Sequence, residues 1–396
     1  MATKPSSFGN SALSNAKRAK NDEFYTQWAD IEREMNAYLE YDPDVFRGKT
    51  ILLPCDDPDW SNFTKFFALH FRDYGLKKLI STSYAPKSNA GGAFYHPNPF
   101  ETTSPTYSAA ASLKRGRVFV LEADTNADDR IDIEDLRWTY LEGDGDFRSK
   151  EVTALRDEAD IVVTNPPFSL FREFVAWLVE GGKKFSIIGN SNATTYSEIF
   201  PLIQQDKLWK GATANASDMV FAVPKGSVVK DSDREKAERL GYPSDDARQY
   251  TRLGNSCWFT NIDHGRRHEP LQLMTMAENI KFSRHQEVRG TGYKPYENYD
   301  AVEVPYTDAI PSDFDGVMGV PITFLDKYNP DQFEIVGTTE SNAPDNPFRT
   351  RLYSSQECRD AYATRFGKQG TYDLNASGVV DGVKVYKRIL IRRKRV

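Results

Sequence analysis

The sequence predicts an α/β protein in which a sheet covered by helices on both faces is followed by a smaller C-terminal domain of mixed structure. Short strands alternate with helices up to about residue 265, the order that is typical of doubly wound sheets. Segment 159–164 is continuous, rich in β-branched residues and bounded by turn residues, as in a buried central strand. Beyond residue 265, short strands, turns and prolines replace this alternation. We therefore predict two domains, 1–265 and 266–396.

The elements of the first domain are predicted from hydrophobic periodicity and turn residues. Strands are expected at 49–54, 76–84, 116–122, 138–141, 159–164, 184–189, 218–223 and 256–260, and helices at 22–39, 62–74, 151–158, 169–180 and 196–205. Segment 86–108 is rich in Gly, Pro, Asn and Ser, which predicts a loop. Residues 85–136, with the strand at 116–122, are predicted to form an insertion on the core fold.

The composition is that of a globular chain, with 396 residues of which 39% are hydrophobic and 27% charged. No run approaches the roughly 18 apolar residues of a membrane span, and the polar N-terminus lacks the apolar segment of a secretory signal. The three cysteines are widely spaced and form neither a zinc pattern nor a disulfide framework, so we expect a reducing cytoplasm and no metal site.

The net charge of −6 gives no direct support for nucleic-acid binding. Basic residues nevertheless gather at 17–20, 266–268 and 387–395, and such segregation allows a DNA-facing surface. The C-terminal group alternates with apolar residues, as in an edge strand. Its charges would either protect that edge or contact phosphates.

The turn Asn165-Pro166-Pro167-Phe168 directly follows the predicted central strand, where ligands bind in open α/β sheets. The two prolines restrict the backbone and lack N–H donors, so the turn offers carbonyl oxygens without competing donors. Asn165 adds an amide oxygen, and Phe168 adds an aromatic face. A rigid turn of this kind suits a planar base that carries an amino group, whereas the simpler alternative is a strand terminator. We predict that all four residues are catalytic.

Together with this turn, three further segments carry a resemblance to a known family. They are Asn-Asp-Glu-Phe-Tyr-Thr at 21–26, the segment 53–63 after the first strand, and Gly-Asp-Phe at 145–147. The chain resembles the amino-methyltransferases with an Asn-Pro-Pro-aromatic motif, specifically the EcoRI-type adenine-specific DNA methyltransferases, and residues 319–325 also look family-like. The resemblance implies a Rossmann-like methyltransferase sheet with a C-terminal target-recognition domain.

The resemblance also implies residues that contact S-adenosylmethionine. They are Phe24, Tyr25, Thr26, Pro54, Asp56, Asp57, Asp144, Asp146 and Phe147, where Asp146 would accept from the adenine amine and Phe147 would pack on the ring. Two departures from the family pattern stand out. Asp56, Asp57 and Asp59 replace the usual Gly-x-Gly, and a carboxylate there could hold the cofactor's ammonium group. The second strand lacks a terminal acid for the ribose, and Glu122 and Asp124 are the candidates for that role.

The predicted function is transfer of a methyl group from S-adenosylmethionine to the N6 amine of a flipped adenine in a specific duplex DNA sequence. The enzyme would be a cytoplasmic monomer of bacterial or phage origin, either paired with a restriction enzyme or solitary, that binds no membrane and no metal. Two alternatives stay open. One is an N-methyltransferase of RNA bases or protein glutamine. The other is a catalytically dead DNA-binding protein, which the missing glycines suggest and which cofactor binding would distinguish.

Overall fold

The computed structural model describes residues 24–58, 61–85, 102–213, 219–223, 227–245, 248–340 and 346–394. The chain divides into two compact units. One comprises the described residues up to Ile199 together with Leu208–His264, and the other comprises Phe200–Lys207 and the residues from Gly265 onward. Phe200–Lys207 was predicted within the first domain. It groups with the second unit because its short helix packs against a strand there.

The first unit is built on a large mixed sheet. The strands of the whole first unit are β1 (Tyr25–Thr26), β2 (Thr50–Leu53), β3 (Lys78–Ser83), β4 (Arg117–Leu121), β5 (Arg137–Tyr140), β6 (Ile161–Thr164), β7 (Lys184–Asn190), β8 (Trp209–Lys210), β9 (Val220–Val223), β10 (Gln249–Arg252) and β11 (Ser256–Thr260). Among the described residues, eight strands form the order β5-β4-β3-β2-β6-β7-β11-β8. The central strands β3, β2, β6 and β7 are parallel, and the others extend the sheet antiparallel at both edges.

Helices cover both faces of this sheet, which confirms the predicted α/β class. The helices of the first unit are α1 (Trp28–Tyr41), α2 (Asn62–Leu69), α3 (Ala109–Ser112), α4 (Lys150–Glu158), α5 (Phe171–Glu180) and α7 (Asp231–Arg239). Of these, α7 packs against β10, and α6 (Phe200–Gln204) belongs to the second unit. The buried side of α1 shares a hydrophobic core with Trp258. Phe171 of α5 packs on Phe259, with ring centroids 5.0 Å apart. Trp258 and Phe259 are consecutive, so they point to opposite faces of the sheet.

A separate three-stranded sheet has the order β1-β9-β10, with antiparallel pairing throughout. Two predictions were therefore wrong in part: 218–223 was placed in the main sheet, and 22–39 was expected to be one helix. Tyr25 pairs instead with Ala222, and α1 begins only after the extended residue Gln27. Residues 22, 23 and 218 lie outside the described residues, as do the basic group at 17–20 and most of the loop predicted at 86–108.

The strand predicted inside an insertion at 85–136 is an integral part of the main sheet. β4 pairs antiparallel with β3 along its length, from Arg117 opposite Ser83 to Leu121 opposite Leu79. Its buried residues alternate, which is the pattern of a strand with one face on the core. An acidic turn joins β4 to β5, and the Asp135 carboxylate stabilises it by accepting the backbone N–H of Thr125 at 2.6 Å. Antiparallel pairing thus adds this hairpin to the sheet without a crossover helix.

The second unit has mixed structure. Its elements are the helices α8 (Met276–Phe282) and α9 (Ser355–Phe366) and the strands β12 (Lys294–Pro295), β13 (Val302–Glu303), β14 (Met318–Pro321), β15 (Phe333–Thr338), β16 (Val379–Val380), β17 (Val383–Lys384) and β18 (Arg388–Arg393). Five strands form the order β12-β13-β14-β18-β15, and β16 pairs with β17. The prediction of an edge strand for the basic C-terminal stretch was wrong. β18 pairs with both β14 and β15. Its apolar residues 389–391 are buried, and Arg388 forms an ion pair with Glu303.

Candidate active site

The predicted catalytic turn leaves the carboxyl end of β6, between the parallel strands β2 and β7. Nδ2 of Asn165 donates a hydrogen bond to the carbonyl of Phe24 at 2.6 Å. Oδ1 of Asn165 is buried and has no hydrogen-bond partner among the described residues. Because the Phe24 carbonyl holds the donor end of the amide, the position of its acceptor end is set, and that oxygen is left to accept from a ligand.

The two prolines shape the path of the chain after Asn165. Pro166 is buried, and Pro167 has φ −55° and ψ 122°, an extended conformation that the proline ring permits. The carbonyl of Pro167 accepts the N–H of Leu170 at 2.9 Å, which closes a short 3₁₀ turn ahead of α5. The turn therefore ends in a helix that fixes its position against the sheet.

Three aromatic rings from distant parts of the chain meet at this turn. Phe168 stacks on Phe24, with centroids 5.7 Å apart and an interplanar angle of 30°. Phe221 of β9 packs edge-on against Phe24 at 5.9 Å. The Phe-Tyr-Thr segment is thus brought to the catalytic turn both by the Asn165 hydrogen bond and by ring packing.

Asp56 joins the loop after β2 to the strand that carries the catalytic turn. The residue is only 6% exposed. Its Oδ1 accepts from the Ser61 hydroxyl and its Oδ2 accepts from the Thr164 hydroxyl, both at 2.6 Å. Thr164 immediately precedes Asn165. Burial raises the pKa of Asp56 to about 7, although the two hydroxyl hydrogen bonds act in the opposite direction.

This raised pKa predicts how Asp56→Asn changes the pH dependence of stability. Asp56 keeps its proton in the folded protein up to pH about 7, whereas the unfolded chain releases it near pH 4. Its contribution to the free energy of unfolding is therefore largest below about pH 4 and is lost as pH rises through 7, by on the order of a few kcal/mol. Urea unfolding of both proteins between these pH values should show a flatter profile for the variant. Parallel profiles would contradict the assignment.

Asp57 lies beside Asp56 and forms an ion pair with Arg117, the first residue of β4. The two side chains are 15% and 6% exposed, respectively. Nε of Arg117 also donates to the Ser83 hydroxyl at 3.3 Å, so the pair links the carboxyl ends of β2 and β3. Cys55 has φ 69°, in the left-handed region. The loop thus adopts, without a glycine, a backbone conformation that normally favours glycine.

The segment 144–147 lies at the same edge of the sheet. Asp144 is exposed, and its side chain accepts the N–H of Asp146 at 3.3 Å. Burial opposes ionisation of Asp146, yet hydrogen bonds from Arg148 hold its pKa below the usual range. Phe147 is completely buried and packs against Phe174 of α5, with centroids 4.9 Å apart. Its ring therefore belongs to the core beneath α5, and its contact with a cofactor stays a prediction.

Gly145 packs tightly against the backbone at Ser83, so replacing it should lower the free energy of unfolding. It has φ +89°, and an added Cβ would collide with the carbonyl oxygen of Ser83. Gly182 has φ +62° but open space around its missing side chain, so Gly182→Ala isolates the strain of the left-handed backbone, about 1–2 kcal/mol. We expect Gly145→Ala to lower the free energy of unfolding clearly more than Gly182→Ala does in urea titrations. Equal losses would show that the close approach is relieved without cost.

The comparison with protein families bears directly on this site. The chain matches the family described as adenine-specific methyltransferase EcoRI over residues 12–394, which include the catalytic turn and both units. The chain belongs to this family. As a member of it, the protein is an adenine-specific methyltransferase.

Curated relatives agree with this membership. The chain is 38% identical over 330 residues to Type II methyltransferase M.EcoRI of Escherichia coli, covering 83% of this chain and 89% of the relative. It is 34% identical to Type II methyltransferase M.MpnI of Mycoplasma pneumoniae, covering 82% and 84% respectively. It is 31% identical to Type II methyltransferase M.MgeORF184P of Mycoplasma genitalium, covering 97% and 99%. No solved structure matches the chain significantly.

The two acids that were predicted to bind the cofactor's ribose lie away from the catalytic turn. Glu122 follows the carboxyl end of β4, and it forms an ion pair with Lys78 at the amino end of β3, 3.0 Å away. Asp124 accepts the N–H groups of Ala127 and Asp129 within the acidic turn. Both carboxylates therefore lie at the edge of the sheet opposite to the catalytic turn, because β4 runs antiparallel to β3.

Several residues of the site were missed from the sequence. Arg117, Ser61 and Thr164 support the loop after β2, and Phe221 completes the aromatic group. Arg117 was the one residue with a signal in the sequence. It begins an apolar strand, and a charge that is buried in such a strand needs a partner. The positions of the other residues depend on contacts between segments that are far apart in the chain.

The described residues contain no group of three or more His, Cys, Asp or Glu side chains arranged to hold a metal ion. Among them there is also no helix that is both long and apolar enough to cross a membrane.

Proposed function

We propose that this methyltransferase transfers the methyl group of S-adenosylmethionine to the N6 amine of an adenine that has left the base stack of a specific duplex DNA sequence. The observation that carries the proposal is the Asn165 amide. Its donor end is bonded to the Phe24 carbonyl, and its buried acceptor end has no partner among the described residues. A buried acceptor without a partner is costly unless a ligand donor occupies it, and an exocyclic amine is such a donor.

In the proposed reaction the catalytic turn acts on the two N–H bonds of the amine. Oδ1 of Asn165 accepts one and the carbonyl of Pro166 accepts the other, which favours a tetrahedral nitrogen with a free lone pair. Phe168 holds the ring by stacking, worth about 1–3 kcal/mol per base. S-adenosylmethionine, when bound, would supply the electrophilic methyl group and leave as a neutral thioether, and the methylated N6 would release one of its two protons. Positioning and preorganised dipoles provide most of the rate.

We propose that the cofactor binds at the carboxyl ends of β2 and β3, where the residues implied by the family motifs gather. The hydroxyl of Thr26 fits a polar ligand, because the residue is 2% exposed and its Oγ1 has no partner among the described residues. Asp56 and Asp57 are already bonded to Ser61, Thr164 and Arg117. We therefore propose that they hold the cofactor loop in shape, while Phe24, Tyr25, Pro54 and Asp146 line the site.

The decisive experiment incubates the protein with plasmid DNA and S-adenosylmethionine that carries a labelled methyl group, and then identifies the modified nucleoside. The expected product is N6-methyladenine in DNA. Label found only in RNA, in protein glutamine or in cytosine would overturn the proposal in favour of another methyl acceptor. Cofactor binding without transfer to any substrate would indicate a catalytically dead DNA-binding protein.

A further inference from the structure

The second unit carries a group of aromatic rings and cations at the end of α9, in the loop that follows and on β17. We call it the α9 surface, and it consists of Tyr362, Arg365, Phe366, Lys368, Tyr372 and Lys384. Segment 361–372 contains no Asp or Glu. Within the part of the chain that the structure describes, none of the three cations of the α9 surface forms an ion pair. Its positive charge is therefore not neutralised locally.

Four other cations of the same unit show the contrasting case of a cation with an acidic partner. Such pairs are Lys294–Asp381 at 2.6 Å, Arg351–Glu357, Lys387–Glu340 and Arg388–Glu303. The acid nearest to the α9 surface in sequence, Asp373, accepts the N–H of Asn375 at 3.1 Å and caps the next turn. The three cations of the α9 surface differ from these four in having no acidic partner among the described residues.

The α9 surface is also held in one conformation. Gly367 ends α9 with φ 64°, and the N–H of Tyr372 returns to the carbonyl of Cys358 at 3.0 Å. The ring of Tyr372 lies near both Arg365, at 5.7 Å, and Lys384, at 5.3 Å. The backbone of the loop is consequently folded back on the helix, so little of it has to become ordered when a ligand binds.

Phe366 adds an exposed ring to these charges, since 48% of its surface is accessible. Uncompensated cations next to exposed aromatic rings are a recurrent feature of nucleic-acid surfaces, where the cations neutralise phosphates. We propose that the α9 surface binds the phosphate backbone of the duplex DNA substrate through Arg365, Lys368 and Lys384. The inference rests on the proposed function, because it takes DNA as the substrate.

The test replaces the three cations together, as Arg365→Gln/Lys368→Gln/Lys384→Gln. The matched control, Lys294→Gln/Arg351→Gln/Lys387→Gln, removes the same charge from cations that already have acidic partners. Fluorescence anisotropy measures the affinity of each protein for a random-sequence duplex between about 50 and 200 mM salt. We expect the slope of log affinity against log salt to become shallower by about 3 in the first variant, about 1 per lost contact, and to change little in the control.

The outcomes separate this inference from the proposed function. If the wild type does not label DNA, the proposed function fails. If the wild type labels DNA but the α9 variant keeps the wild-type salt slope, or both triple variants lose slope equally, the inference is overturned. Loss of affinity for single-stranded RNA without loss for duplex DNA would also overturn it. Should the triple variant fold poorly, Lys368→Gln alone changes an exposed side chain and should reduce the slope by about 1.

Discussion

Asn165→Ala is expected to reduce the rate of methyl transfer by about 10²–10³-fold, the usual cost of removing one preorganised hydrogen-bonding group from a transition state. The variant loses the Oδ1 acceptor that would hold the N6 amine, whereas the rest of the turn is kept by Pro166, Pro167 and α5. Single-turnover rates at saturating DNA and cofactor measure the loss. The affinity for DNA should stay near the wild-type value.

Two further variants sharpen this prediction. Asn165→Asp keeps an acceptor but has no donor for the Phe24 carbonyl. It should also lose most activity if the 2.6 Å hydrogen bond fixes the orientation of the Asn165 side chain. Asn126→Ala is the matched control, because this exposed asparagine lies in the acidic turn at the opposite edge of the sheet. Retention of more than about a tenth of the rate by Asn165→Ala, roughly 1.4 kcal/mol or less, would contradict the proposed role.

Arg117→Met is expected to lower the free energy of unfolding by about 3–5 kcal/mol, because it removes the guanidinium group that pairs with the Asp57 carboxylate in a largely buried setting. Urea unfolding measures the change. We also expect weaker cofactor binding, since the pair links the loop after β2 to the end of β3.

A double-mutant cycle tests the origin of this loss. Arg117→Met/Asp57→Asn removes both charges and should recover part of the stability that Arg117→Met alone loses. Arg239→Met is the surface control, since Arg239 and Glu235 are 73% and 65% exposed and such pairs contribute about 0–1 kcal/mol. A loss for Arg117→Met no larger than that for Arg239→Met would contradict the assignment.

The turn at Asn165–Phe168 was predictable because its information is local. Two prolines after a β-branched apolar run end a strand and define a rigid, acceptor-rich turn, whatever surrounds them. The hydrogen bond between Asn165 and Phe24 was not predictable from spacing, because it joins residues separated by 141 positions. It exists because β1 pairs with β9 and is thereby brought to the end of β6.

The loop after β2 shows what the sequence leaves open about its two adjacent acids. Two adjacent acids in place of glycines suggested direct contact with a positively charged ligand. In the folded chain Asp56 accepts hydroxyl hydrogen bonds from Ser61 and Thr164, and Asp57 pairs with Arg117. The partners come from other strands and helices, so the sequence alone could not distinguish a ligand-binding acid from a supporting one.

The sequence by itself determined the α/β class, the central strand and the turn at Asn165–Phe168, since periodicity and proline geometry act over a few residues. Only the tertiary structure decided that β4 joins the main sheet, that β1 leaves it, and that Glu122 lies at the edge away from the site. These outcomes depend on strand pairing and strand direction. Both are set by the burial of side chains from distant segments, which no local pattern records.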